Sequence, residues 1–216
     1  MCGGRGTRLG GATEKPMTPI GRRPMVDRVC DALAGSRVEA THAVVSPHAS
    51  ATREHLVDGR RDLPVIDAPG DGYVADLRYA IERVGAGDAA ARPFVTVAAD
   101  LPLLDPAAVN GVIDAARAAG DDDASASLTV CVPAARKREL GVSADAATEI
   151  DGRELVPAGI NVVAGEGDGG SDGETESDDG DAAVHVTEDA RLAVNVNYPS
   201  DVRVAERLLA DGEADD

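Results

Sequence analysis

Apolar residues recur along the chain at two spacings, and each predicts its own kind of element. Pro24 to Ala34 carries Val26, Val29, Cys30 and Leu33 one helical turn apart. Tyr73 to Val84 repeats Val74, Leu77, Ile81 and Val84 behind the turn Pro69-Gly70-Asp71-Gly72. Further helices are predicted over Ala51 to Asp58, from about Asp105 to Ala119 and over Val202 to Leu209. Short apolar runs predict strands at His42 to Pro47, Leu63 to Asp67, Pro93 to Ala99, Ala126 to Val132 and Leu155 to Val163. Strands separated by helices of this length imply an α/β protein, with helices on both faces of a mostly parallel sheet. Such sheets bind ligands at the carboxyl ends of their strands, where Ser46-Pro47-His48 and Asp100 fall.

One stretch has no such pattern. Gly165 to Asp181 contains only Gly, Asp, Glu, Ser and Thr, too polar to bury anything, and is expected to be a disordered insertion over 165–182. Its order of acids and glycines is not that of an EF-hand calcium loop. At 216 residues the remainder suits one domain, 1–210, with an acidic tail at 211–216. Acidic residues outnumber basic ones 39 to 21, for a net charge of −18, which argues against nucleic acid or an anionic membrane as partner. Acidity, scarce aromatics and scarce lysine suit a protein adapted to concentrated salt, though a GC-rich genome gives the same bias. Cys2, Cys30 and Cys131 are widely spaced, which supports neither a disulfide framework nor a zinc site and fits a reducing cytoplasm.

The chemistry concentrates at the front of the chain. Gly3-Gly4-Arg5-Gly6-Thr7-Arg8-Leu9-Gly10 is followed by Glu14-Lys15-Pro16. Glycines let backbone N–H groups approach phosphate oxygens, and Arg5, Arg8 and Lys15 add positive charge to an acidic chain. The dinucleotide pattern fails at Leu9, and the P-loop pattern fails because Pro16 follows Lys15. Lys15 and Lys137 are the only lysines among 21 basic residues, which marks Lys15 as a functional group. Asp100 leaves the most apolar strand, where a carboxylate meets phosphate and Mg²⁺; Asp105, just before Pro106, is the better helix cap. Asn195-Val196-Asn197 offers amide oxygens, which turn chemistry explains equally well.

Taken together, these motifs resemble the signature of nucleotidyltransferases that join an NTP to a phosphorylated acceptor. Ser46-Pro47, Gly70-Asp71-Gly72-Tyr73-Val74-Ala75-Asp76-Leu77 and Leu155-Val156-Pro157-Ala158-Gly159-Ile160-Asn161-Val162-Val163 narrow it. With them, about Gly3 to Leu209, apart from the acidic insertion, is similar to the archaeal adenosylcobinamide-phosphate guanylyltransferases. That resemblance implies a Rossmann-like three-layer sandwich of the nucleotide-diphospho-sugar transferase type. It also implies transfer of GMP from GTP to adenosylcobinamide phosphate, with loss of pyrophosphate, in cobalamin synthesis. Arg8, Lys15 and Asp100 would be catalytic. Gly3, Gly4, Arg5, Gly6, Thr7, Arg8, Lys15, Ser46, Asp71 and Gly72 would bind GTP. Gly159 and Asn161 would line the acceptor side, and Asp100 with Asn197 would hold Mg²⁺. Oligomeric state stays open, a homodimer included.

Two rival readings remain: guanylyl transfer to a molybdenum cofactor, and a non-catalytic GTP-binding relative. A phosphate loop of this kind is also held by an interior strand entering it, and two residues before Gly3 cannot supply one. Met1 is therefore expected not to be the true start, with a Val/Ile/Leu/Ala-rich segment read in frame upstream.

Overall fold

A computed structural model describes residues 1–3, 6–10, 13–84, 92–120, 125–165 and 182–213. Its helices follow the apolar spacing. Helix α1, Met25–Ala34, buries Val26, Val29, Cys30 and Leu33 and ends at Gly35. Helix α2 covers Ser50–Gly59 and α3 covers Tyr73–Val84. Helix α4, Pro106–Ala119, buries Val109, Val112 and Ala116. It begins where the sequence indicates: Pro106 needs no N–H partner, and the Asp105 carboxylate accepts from the Ala108 amide at 2.7 Å.

Two sheet fragments carry the site. Strand β3, Ala43–Val45, runs parallel to β4, Val65–Asp67. α3 packs on one face of this pair, with Ala80 against Val44. α1 and α2 pack on the other, with Val26, Cys30 and Leu56 around Ala43 and Val45. The larger sheet has five strands. β5 (Phe94–Val97) and β6 (Leu128–Pro133) flank the 11-residue β8 (Arg153–Val163), both antiparallel to it. Strand β9 (Ala183–Val186) adds parallel to β6, and β7 (Thr148–Ile150) folds back on β8. The short pair β1, Pro19–Ile20, and β2, Arg23–Pro24, precedes α1. Under the larger sheet, α1 and α4 share a core with Val97, Val130, Ile160 and Val162.

The two fragments meet through the first two residues. Cys2 N donates to Val44 O at 2.8 Å, the Met1 ammonium donates to Val97 O at 2.8 Å, and Ala99 N donates to Met1 O at 3.2 Å. Met1 and Cys2 thus form one rung between β3 and β5, and Gly3 emerges at the carboxyl ends of both.

Several expectations change. The sheet is mixed rather than mostly parallel, because β8 lies centrally and opposes β5, β6 and β7. Helix–strand alternation carries no information about a strand that returns without a helix. Helix α5, Ala134–Leu140, follows β6 directly, and the Asp151-Gly152 turn, with φ of 50° and 72°, joins β7 to β8. That Asp-Gly pair is a hairpin signal present in the sequence. Short helix α6 is Ala190–Ala193, and the last helix, α7, runs Pro199–Glu213, taking in residues 211–213 of the acidic tail. The bulk of the acidic insertion, 166–181, lies outside the described residues.

Asp105 tests the account of α4. Asp105→Ala should cost about 1–2 kcal/mol in urea unfolding through loss of the cap and of the bonds that Asp105 accepts from Arg191. An unchanged midpoint would show that α4 starts without it.

Candidate active site

The glycine loop folds back on the residue it leads to. Gly6 has φ of 63°, and a Cβ there would lie 3.1 Å from both Lys15 Cβ and Lys15 N, so only glycine lets the loop close on Lys15. Residues 15–17 form a single 3-10 turn that buries Pro16. The Lys15 ammonium then reaches two other parts of the chain. It lies 2.6 Å from Asp100 Oδ2, at the end of β5, and 2.8 Å from Asn197 Oδ1, before α7. The other carboxylate oxygen, Asp100 Oδ1, is buried without a hydrogen-bond partner among the described residues. A buried, unpaired acceptor costs free energy unless some donor or cation comes to it.

Beside this triad opens a cavity of about 300 Å³. Gly3, Lys15, Ser46, Gly72 and Asp100 line it, together with Tyr73 and Asp76. Five of the residues singled out from sequence therefore share one hollow. Asp71 is exposed next to Gly72, and Thr7 and Arg8 are exposed on the 3-10 turn Thr7–Leu9. Gly4 and Arg5 lie outside the described residues.

Gly159 sits behind the carboxylate. Its φ is 84°, its carbonyl accepts from Ala98 N at 2.8 Å, and a Cβ there would lie 3.3 Å from Ala98 Cβ and 3.9 Å from Asp100 Oδ1. Asn161 turns elsewhere. Its side-chain oxygen accepts from Val130 N at 3.3 Å, where β6 shifts register against β8, so the sheet itself occupies this amide.

Sequence reasoning missed the residues that hold the triad in place. Glu14 reaches across to α2, whose own first residues provide no side-chain cap. Its carboxylate accepts from Ala51 N at 2.9 Å, Thr52 N at 2.7 Å and Thr52 Oγ1 at 2.6 Å. Burial works against its charge, yet the Thr52 and Ala51 hydrogen bonds outweigh it and hold the carboxyl below its ordinary range. Asp201, fully buried, accepts from Ser143 N and Oγ, Asn197 N and Tyr198 N, each at 2.9 Å, and so fixes the turn that presents Asn197. Asp76 accepts from Gly70 N at 2.8 Å and shapes the wall around Gly72. Lys137 is buried on α5; its ammonium donates to Ala193 O at 2.6 Å and Asn195 Oδ1 at 2.5 Å. The two amides of Asn-x-Asn thus serve the chain's two lysines. The sequence signal for Lys137 was the near-absence of lysine elsewhere.

Donor chemistry at the triad suits a hard cation: a carboxylate oxygen without a partner among the described residues and an amide oxygen, beside a hollow of about 300 Å³. Among the described residues no group of three or more His, Cys, Asp and Glu is arranged to hold a metal by itself, so further oxygens would come from phosphate or water. No helix among them is long and apolar enough to cross a membrane.

Residues 1–154 match the family model described as the MobA-like NTP transferase domain. The chain belongs to this family. Over 214 residues it is 30% identical to the adenosylcobinamide-phosphate guanylyltransferase of Methanocaldococcus jannaschii, covering 97% of this chain and 95% of that one. It is 32% identical over 127 residues to the bifunctional protein GlmU of Kineococcus radiotolerans, covering 56% of this chain and 24% of that one. Among solved structures, a putative glucose-1-phosphate thymidylyltransferase of Bacillus anthracis superposes with a TM-score of 0.64 at 15% identity, covering 97% of this chain and 93% of that one. The fold is accordingly that of the α/β nucleotidyltransferases, and Lys15 and Asp100 fall within the matched NTP transferase domain.

Lys137 gives a pH-dependent test. Burial lowers its pKa from 10.5 to about 8, and the charges of Asp201 and Asp100 only partly restore it. Between those values the unfolded chain binds the extra proton, so stability contributed by this group rises with pH. The unfolding free energy of wild type, relative to Lys137→Met, should therefore climb by about 3 kcal/mol from pH 8 to 10.5. Parallel stability curves for the two proteins would contradict this.

Proposed function

We propose that this chain transfers GMP from GTP to adenosylcobinamide phosphate, forming adenosylcobinamide-GDP and pyrophosphate. One observation carries the choice of acceptor: the match to the Methanocaldococcus jannaschii guanylyltransferase runs through nearly the whole of both chains. The site's geometry supports the reaction class. The acceptor phosphate attacks the α-phosphorus in line while pyrophosphate leaves, and no enzyme nucleophile takes part. Catalysis is then positioning and neutralisation of charge.

In this reading the backbone amides of Gly3, Gly4 and Gly6, with Arg5 and Thr7, cradle the triphosphate. Arg8 and Lys15 neutralise the leaving pyrophosphate. The Lys15 ammonium already stands at the cavity, on Asp100 and Asn197, and an entering phosphate shares it. Ser46, Asp71 and Gly72 face the nucleoside. Gly159 borders the acceptor side; Asn161 acts there through the backbone it holds. When bound, Mg²⁺ held by Asp100 and Asn197 would supply further neutralisation of phosphate charge.

Pyrophosphate release decides the acceptor. Purified protein with GTP should release it with adenosylcobinamide phosphate and not with the molybdenum cofactor, and GTP should outcompete ATP. Release with the molybdenum cofactor alone would reassign the acceptor; GTP binding without release would mean a non-catalytic relative. Lys15→Ala should lose roughly ten- to a hundredfold in kcat/KM, the worth of one charge-assisted hydrogen bond. Asp100→Asn should lower kcat more than GTP affinity, because its role falls in the transition state. Wild-type rates in both variants would refute the site.

A further inference from the structure

Helix α2 begins without a cap of its own. Its N-cap position is Ala49, buried in the cluster with Val45 and Leu56, and a methyl group accepts no hydrogen bond. A Ser or Asp at that position would accept from the N–H groups of the second and third helical residues. Those residues are Ala51 and Thr52, and both donate to the Glu14 carboxylate, at 2.9 and 2.7 Å. The fully buried Thr52 adds its hydroxyl at 2.6 Å. The cap is thus supplied from 37 residues earlier in the chain, by the neighbour of Lys15.

Glu14 acts on Lys15 through its main chain as well. Its carbonyl accepts from Met17 N at 2.9 Å and closes the 3-10 turn Lys15–Met17. Met17 then packs on the cluster that holds Leu56 of α2. On the other side Gly6 lies so near that a Cβ there would stand 3.1 Å from Lys15 N. Helix α2 is itself tied to the cavity wall: Ala49 N donates to Ser46 O at 3.0 Å, and the buried Ser46 lines the cavity together with Lys15. Stability alone would be served by Ser or Asp at position 49. A cap delivered by residue 14 adds something else, a fixed separation between Ser46 and Lys15.

We propose that Glu14 is a positioning residue of the reaction. By holding the start of α2 it fixes where Lys15 stands relative to Ser46, and so where the leaving pyrophosphate is met. The role depends on Lys15 neutralising that pyrophosphate. A lysine backbone free to drift by about an ångström still binds nucleotide but meets the transition state poorly, which lowers turnover before affinity.

Rates, the KM for GTP and melting temperature separate positioning from capping. Glu14→Ala should lower kcat by about tenfold or more at nearly unchanged KM, and lower the melting temperature by about 2–4 °C. Combining Glu14→Ala with Ala49→Ser returns a cap to α2 and leaves Lys15 untied. That protein should melt near Ala49→Ser alone yet remain slow beside it. A rate restored along with the melting temperature would reduce Glu14 to a cap and overturn the proposal. In a Lys15→Ala background, Glu14→Ala should cost less than about twofold further, because the two residues act as one unit. A full second loss would overturn it too. Should Glu14→Ala fail to fold, Glu14→Gln serves in its place. It keeps one acceptor oxygen, turns an NH2 group toward the other amide, and should show the same fall in kcat at unchanged KM. Slow Lys15→Ala beside a wild-type rate in the folded Glu14 variant defeats this role alone. A wild-type rate in Lys15→Ala defeats the assignment of Lys15 and this role with it.

Discussion

One ammonium group ties together three stretches that are remote in sequence. Lys15 belongs to the opening loop, Asp100 closes β5 and Asn197 precedes α7, and Lys15 Nζ touches both partners within 2.8 Å. The loop's closure at Gly6, the rung made by Met1 and Cys2, and the turn held by Asp201 all converge on that contact. Without the ammonium, a half-buried carboxylate would face a cavity with one oxygen already unpaired. The triad is therefore an electrostatic knot, and anything that engages Lys15 bears on all three stretches at once.

Much of this was legible in the chain. The apolar stripes of α1 and α4 are buried against the sheets, and helical spacing located these helices and α3 to within a residue or two, although Val74 of the α3 stripe is exposed. The run ending at Asp100 was legible because a buried strand must stop where a charge begins. Strand direction was not. β8 enters from the Asp151-Gly152 hairpin with no helix before it, and nothing in its Val/Ile pattern says which neighbour it opposes. Within the site, the glycine loop, Lys15 and Asp100 carried motif signals. Glu14, Asp76, Asp201 and Lys137 did not, because their work is to satisfy backbone groups and amides whose positions exist only after folding.

The two lysines stand apart from the surface arginines. Some arginines pair with carboxylates on open surface, as Arg53 does with Asp67 and Arg138 with Glu154, where planar forks match but solvent weakens the gain. Both lysines serve acceptors of different kinds that converge from separate elements: carboxylate and amide at Lys15, carbonyl and amide at Lys137. A compact ammonium with three donors meets such convergence better than a flat guanidinium.

The Glu14 carboxylate has a consequence for where anions go. The start of a helix is an inviting place for phosphate, since its first N–H groups have no partners and its dipole is positive there. At α2 those N–H groups belong to Ala51 and Thr52, and the protein's own carboxylate already occupies them. A triphosphate approaching this part of the surface thus finds that helix end filled by an internal competitor. The helix end is closed from within, by the residue immediately before Lys15.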